Sequence, residues 1–96
     1  DLWRWAAPNL DLIAPDIYAR DSAGFSALCA AYARDDNPLF VPESACHSSN
    51  ARNLFRAIAA HGAVGYAVFG IEDVVAPDGG VRPEHQELVE SMRCAA

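Results

Sequence analysis

Carboxylates stand at the ends of three short apolar runs in this 96-residue chain: Asp16 in Pro15-Asp16-Ile17-Tyr18, Glu43 in Pro42-Glu43-Ser44, and Glu72-Asp73 after Phe69-Gly70-Ile71. Aromatic residues, Tyr18 and Phe69, accompany two of the three. Carboxylates with aromatic walls suit sugar hydrolysis. One carboxylate serves as nucleophile or base and another as acid, about 5–5.5 Å apart when configuration is retained, while an aromatic ring packs on the apolar side of a pyranose. Glu43 is the best nucleophile candidate, because Leu39-Phe40-Val41 delivers it to a strand end. Position alone fits a solvated loop glutamate equally well.

Such residues need elements to hold them. Asp21 or Ser22 can cap a helix running to about Arg34, with Phe25, Leu28, Cys29 and Tyr32 on one apolar stripe. Asn37-Pro38 ends it, since proline disfavours helical geometry in the residue before it. A second helix begins near Ser48 or Ser49 and places Ala51, Leu54, Phe55, Ile58 and Ala59 on one face, with Arg52 and Arg56 opposite. Gly62 stops it. A third has Pro83 in its first turn and Glu84 and Glu87 at its positive end, and buries Leu88, Val89 and Met92. The apolar runs Leu10 to Tyr18, Leu39 to Pro42 and Val64 to Phe69 read as strands. The last two are near-continuous, which suits strands buried on both faces of a parallel sheet. Ala76-Pro77-Asp78-Gly79-Gly80 reads as a turn. The order strand, helix, strand, helix, strand, helix predicts an α/β fold with parallel strands and right-handed crossovers. Functional residues gather at the carboxyl ends of such strands. An open sheet and part of a barrel fit the periodicity equally.

Asn37-Pro38-Leu39-Phe40-Val41-Pro42-Glu43-Ser44 resembles the seventh barrel strand of glycoside hydrolase family 35 β-galactosidases and their clan. Ala14-Pro15-Asp16-Ile17-Tyr18 resembles the sixth strand, and Gly65-Tyr66-Ala67-Val68-Phe69-Gly70-Ile71-Glu72-Asp73 the eighth, of bacterial members. Asn50-Ala51-Arg52-Asn53-Leu54-Phe55 is similar to the intervening helix. The resemblance covers roughly residues 3 to 75. It implies that residues 1–96 are the C-terminal part of a (β/α)8 TIM barrel, about strands 6–8, since a whole barrel takes about 250 residues. It implies that Glu43 attacks the anomeric carbon of a terminal β-D-galactosyl residue in a retaining double displacement. Tyr18 would line the sugar subsite near it, Phe69 and Glu72 would shape the pocket, and Asp16 would brace its neighbours. In this clan the general acid is a glutamate following asparagine on the fourth strand. None of Asn9, Asn37, Asn50 or Asn53 precedes a glutamate, so the acid is expected upstream and this chain alone is expected to be inactive.

Other chemistries find less support. The chain carries net charge −6, with seven arginines and no lysine, scattered without a basic stripe. Nucleic acid and anionic membrane surfaces are poor partners for it, and neutral substrates fit better; the β-galactoside is what the resemblance implies. No apolar run reaches the ~20 residues of a membrane span. Asp1-Leu2-Trp3-Arg4-Trp5 lacks the pattern of a secretory leader; with earlier strands expected upstream, the compartment stays open. No phosphate-binding glycine motif occurs, and no cofactor is implied. Cys29, Cys46 and Cys94 do not form a disulfide framework and read as packed thiols. Cys46-His47 invites a thiol-nucleophile or metal reading, but adjacent residues do not face one another and no second pair stands at zinc-ligand spacing. His61 suits a helix end, and His85 is expected to face solvent. Trp3 and Trp5 read as packing residues. Two alternatives remain: a clan glycosidase of different sugar specificity, and a small non-enzymatic α/β interaction domain.

Overall fold

The computed structural model describes residues 2–96. Among them the first helix, α1 (Leu2–Ala6), carries Trp3 and Trp5 largely exposed. Helix α2 (Ser22–Tyr32) starts where the Asp21 carboxylate accepts the Gly24 N–H at 2.7 Å, and it buries Phe25 and Cys29, one turn apart. It stops two residues short of Arg34 because the Tyr32 carbonyl accepts from the Asn37 side-chain amide at 2.9 Å. Arg34 and Asn37 then exchange backbone hydrogen bonds of 3.0 and 2.9 Å around the tight turn Asp35-Asp36.

Three stretches of chain make the parallel pairing. Strand β1 (Asp16–Ile17) pairs with β3 (Glu43–Ser44), Asp16 opposite Glu43 and Ile17 opposite Ser44. Strand β2 (Phe40–Val41) pairs with β4 (Gly65–Tyr66), Phe40 opposite Gly65. Pro42, which has no N–H, separates β2 from β3, so one continuous stretch pairs with β4 below the proline and gains β1 as a second neighbour above it. The ladder towards β4 runs further than these pairs, through Val64 N–H to Leu39 O (2.8 Å), Ala67 N–H to Val41 O (2.8 Å) and Phe69 N–H to Ser44 O (2.9 Å). Strand order in space therefore follows the chain, and the strands are parallel, as the α/β reading predicts. The expected strand from Leu10 shrinks to Asp16–Ile17. Before it the chain is held by side chains: Asn37 accepts the Ile13 N–H (2.8 Å) and donates to the Ile13 carbonyl (2.9 Å), while Arg4 donates to Leu10 O (2.8 Å) and Asp36 O (2.6 Å).

Helix α3 (Asn50–Phe55) continues as a π-helical turn, Arg56–Ala60, and ends at Gly62, whose φ of 63° is left-handed. The buried stripe is narrower than expected and includes Asn50 and Asn53. Ala51, Leu54 and Ala57 are buried, whereas Phe55 and Ile58, expected inside, lie exposed. Beyond β4, Gly70 opens a 3-10 turn (Ile71–Val74), and Val75 bridges Val81 around the expected Ala76–Gly80 turn, closed by an Ala76 N–H to Gly80 O bond of 2.8 Å. A 3-10 turn at Pro83–His85 leads into α4 (Gln86–Ala95), which buries Leu88 and packs along α3.

The core consists of Ile17, Leu39 and Val41 from the strands against Phe25 and Cys29 of α2 and Ala57 after α3. Among the described residues, helices pack on that face of the strands. The opposite face carries Asp16, Tyr18, Phe40, Glu43 and Phe69, with Tyr18 48% and Phe69 65% exposed. The expectation that the second and third strands are buried on both faces is thus corrected: Phe40 and Phe69 make up the apolar content of an open side. The molecule extends 49 × 22 × 22 Å, with a radius of gyration of 14.6 Å against about 12.5 Å for a compact domain of this length. No helix among the described residues is long and apolar enough to cross a membrane.

Asn37 is fully buried. Replacing it with alanine strips hydrogen bonds from the Ile13 peptide and the Tyr32 carbonyl together, and is expected to cost about 3 kcal/mol or more, read from urea denaturation. Gly65→Ala would set a Cβ 2.7 Å from the Phe40 ring and is expected to cost about 1–3 kcal/mol in the same assay.

Candidate active site

The pairing of β1 with β3 sets the site. In a parallel pair, opposed residues share a face, so Asp16 and Glu43 stand side by side, and Tyr18, two residues on from Asp16, lies on the same face. Ile17 and Ser44 point the other way and are buried. The Tyr18 hydroxyl donates a short hydrogen bond to Glu43 Oε1. That bond, then the partial desolvation and the charges of Glu43 and Asp16, push the Tyr18 phenol up to about 12. The bond occupies one carboxylate oxygen and leaves Oε2 for other chemistry. Phe69, bonded through its N–H to the Ser44 carbonyl, flanks the same strand end. Three of the residues singled out in the sequence, Tyr18, Glu43 and Phe69, thus meet around one strand end, with Asp16 beside them.

Glu72 sits further out, exposed on the 3-10 turn. Its charge, with that of Asp73, bears on Cys46, whose thiol burial chiefly pushes up. Cys46 Sγ lies 3.9 Å from His85 Nδ1, so its neighbour is His85 and not the adjacent His47. The expected solvent-facing His85 is therefore half-buried against a thiol. A thiol held protonated is a poor nucleophile, and the described residues contain no cluster of metal-ligating side chains. Cys29 is buried and its thiol is likewise pushed up.

Two residues not foreseen as part of the site brace it. Asn53, fully buried on α3, donates to the Ala19 carbonyl (3.3 Å) and to Asn50 Oδ1 (3.4 Å), and buried Asn50 donates in turn to the Ala45 carbonyl. Ala19 follows Tyr18, and Ala45 follows Glu43-Ser44. The two amides therefore tie together the loops that leave both halves of the hydrogen-bonded pair. The sequence carried a signal for this, since asparagines three apart fall within the buried stripe of Ala51 and Leu54. Below them Ser44 Oγ donates to the Ala67 carbonyl at 2.7 Å, fixing the strand end to its other neighbour.

Titration of the phenols by ultraviolet absorbance is expected to show one tyrosine ionising near 12, absent from Tyr18→Phe and returned towards 10.0 in Glu43→Ala. The Tyr18–Glu43 bond contributes stability fully below about pH 10, and that contribution is lost as pH rises through about 12. A Tyr18 phenol ionising at its ordinary value would show the bond to be absent in solution. Asn53→Ala, which frees the Ala19 loop, is expected to cost about 1–3 kcal/mol in denaturation and to lower the Tyr18 value part of the way.

No protein-family model matches the chain, and no curated protein is similar enough to count as its relative.

Proposed function

We propose that this chain forms the strand 6–8 portion of a retaining β-galactosidase barrel, with Glu43 as its nucleophile. The observation that carries the reading is the Tyr18 hydroxyl bonded to Glu43 across adjacent parallel strands, at the carboxyl end and on the face that no helix covers. Catalytic groups of (β/α)8 enzymes occupy that end. The strand order and the uncovered second face are what an arc of a barrel wall would present. The resemblance of residues 37–44 to the nucleophile strand of family 35 enzymes supplies the sugar.

In this reading Glu43 Oε2 attacks the anomeric carbon while Tyr18 holds Oε1 and keeps the carboxylate from rotating. The bond from the anomeric carbon to the leaving oxygen breaks, and the leaving group takes a proton from an acid on a strand outside this chain. Water, activated by the same residue acting now as base, then cleaves the galactosyl ester and frees Glu43. Phe69 offers its exposed ring to the apolar side of the sugar, Glu72 lines the rim of the pocket, and Asp16 supports Glu43 from the neighbouring strand. No cofactor enters this chemistry.

A protein carrying this segment within a complete barrel is expected to be inactivated by a 2-deoxy-2-fluoro-β-galactosyl fluoride, with the label on the peptide containing Glu43 and none in Glu43→Gln. Label on another peptide would remove Glu43 from the role. Loss of Tyr18 in Tyr18→Phe is expected to lower kcat about tenfold to a hundredfold with a smaller change in KM. The 96 residues alone are expected to hydrolyse no aryl β-galactoside.

A further inference from the structure

Three of the chain's seven arginines converge on one cleft of about 330 Å3, lined by Arg20, Arg52, Arg56, His47, Ser48 and, from α4, Glu87. Arg20 lies in the loop after β1, and Arg52 and Arg56 stand one turn apart on α3 and its π-helical continuation. Among the described residues, Arg4 and Arg34 pair with Asp36, whereas no carboxylate pairs with Arg20, Arg52 or Arg56. The chain holds 13 acidic residues, yet only Glu87 reaches the cleft. Like charges gathered in a concavity repel unless something negative sits between them.

The remaining polar groups have the same character. His47 Nδ1 accepts the Ser49 backbone N–H at 3.1 Å, so the neutral ring carries its proton on Nε2 and offers a donor there. The backbone N–H groups of Asn50, Ala51 and Arg52 are taken by the carbonyls of His47, Ser48 and Ser49, at 2.9, 3.0 and 3.3 Å. Recognition therefore falls to side chains. Guanidinium forks donate and never accept, and they match tetrahedral and planar oxyanions bidentately.

We propose that this cleft binds a tetrahedral oxyanion, phosphate or sulfate, free or as an ester, through Arg20, Arg52 and Arg56 with His47 and Ser48. The site stands apart from Glu43 and holds whether or not Glu43 is a nucleophile.

The test titrates the whole chain with inorganic phosphate at ionic strength held constant with sodium chloride, following the arginine Nε–H signals by NMR. Saturable shifts are expected at Arg52 and Arg56. Arg52→Gln and Arg56→Gln should each weaken binding by roughly tenfold, and Glu87→Gln should tighten it. Arg93→Gln, on the exposed side of α4, should leave it unchanged. All four positions except Arg56 are exposed, so the fold is expected to survive these changes, which circular dichroism checks. A hexose phosphate bound more tightly than inorganic phosphate would identify an ester as the occupant, and equal binding would identify the free anion. Identical shifts with chloride alone, or phosphate binding unchanged in Arg52→Gln, would overturn the proposal.

Discussion

The placement of Glu43 depends on Pro42. Along β2, Leu39 and Val41 point into the helix-covered core, and strict alternation would send residue 43 the same way. A carboxylate delivered beneath α2 would face a large desolvation cost. Instead Val41 and Ser44 are both fully buried, three residues apart, so the alternation slips by one between them. Proline enforces the slip. It cannot donate to a ladder, so the pairing with β4 is interrupted beside it and resumes at Ser44, while the pairing with β1 begins after it. Glu43 thereby comes to lie next to Asp16 and within reach of Tyr18 on the open face.

Where the backbone ladder runs short, buried amides stand in for it. Asn37 pairs with both polar groups of the Ile13 peptide, as a neighbouring strand would, and caps the last turn of α2 with the same nitrogen. Asn50 and Asn53 do for the loops after the strands what Asn37 does before them. A buried amide is favourable only when its own groups and those of its partners are satisfied together. These three therefore specify the approach and departure of the chain more strictly than apolar packing of a small core could. With few fully buried apolar residues in the chain, shape is set by where these amides can reach.

Much of this was legible from the residues. The alternation of strands and helices, the Asp21 cap, the Gly62 stop and the Ala76–Gly80 turn all follow local rules of backbone geometry, and they occur as read. The association of Tyr18, Glu43 and Phe69 at a strand end also followed, because apolar runs indicate where strands stop. What escaped depends on distant partners. The contact of His85 with Cys46 joins residues 39 apart, and no periodicity encodes it. Phe55 and Ile58 belong to the expected apolar stripe, but the buried stripe runs through Asn50, Ala51, Asn53, Leu54 and Ala57 and leaves both outside it. Leu10 to Tyr18 had strand composition, yet only its last part finds a paired neighbour.

The open face raises a question of what it is for. Exposed Tyr18 and Phe69 beside Phe40 offer apolar surface, and apolar surface alone would suit docking of another protein. The charges argue against a dry cover. Glu43 accepts from Tyr18 and stands against Asp16 on the neighbouring strand. Sealing that pair under a protein partner would bury two carboxylates with a single phenol between them, at a cost of several kcal/mol per ion. A sugar imposes no such cost. Its hydroxyls donate to carboxylates, its apolar face covers an aromatic ring, and water returns when it leaves. Among the described residues no arginine pairs with Asp16 or Glu43, and aromatic surface interleaved with such carboxylates is the pattern of a face that is wet between occupants, which is why we propose a carbohydrate there and not a permanent interface.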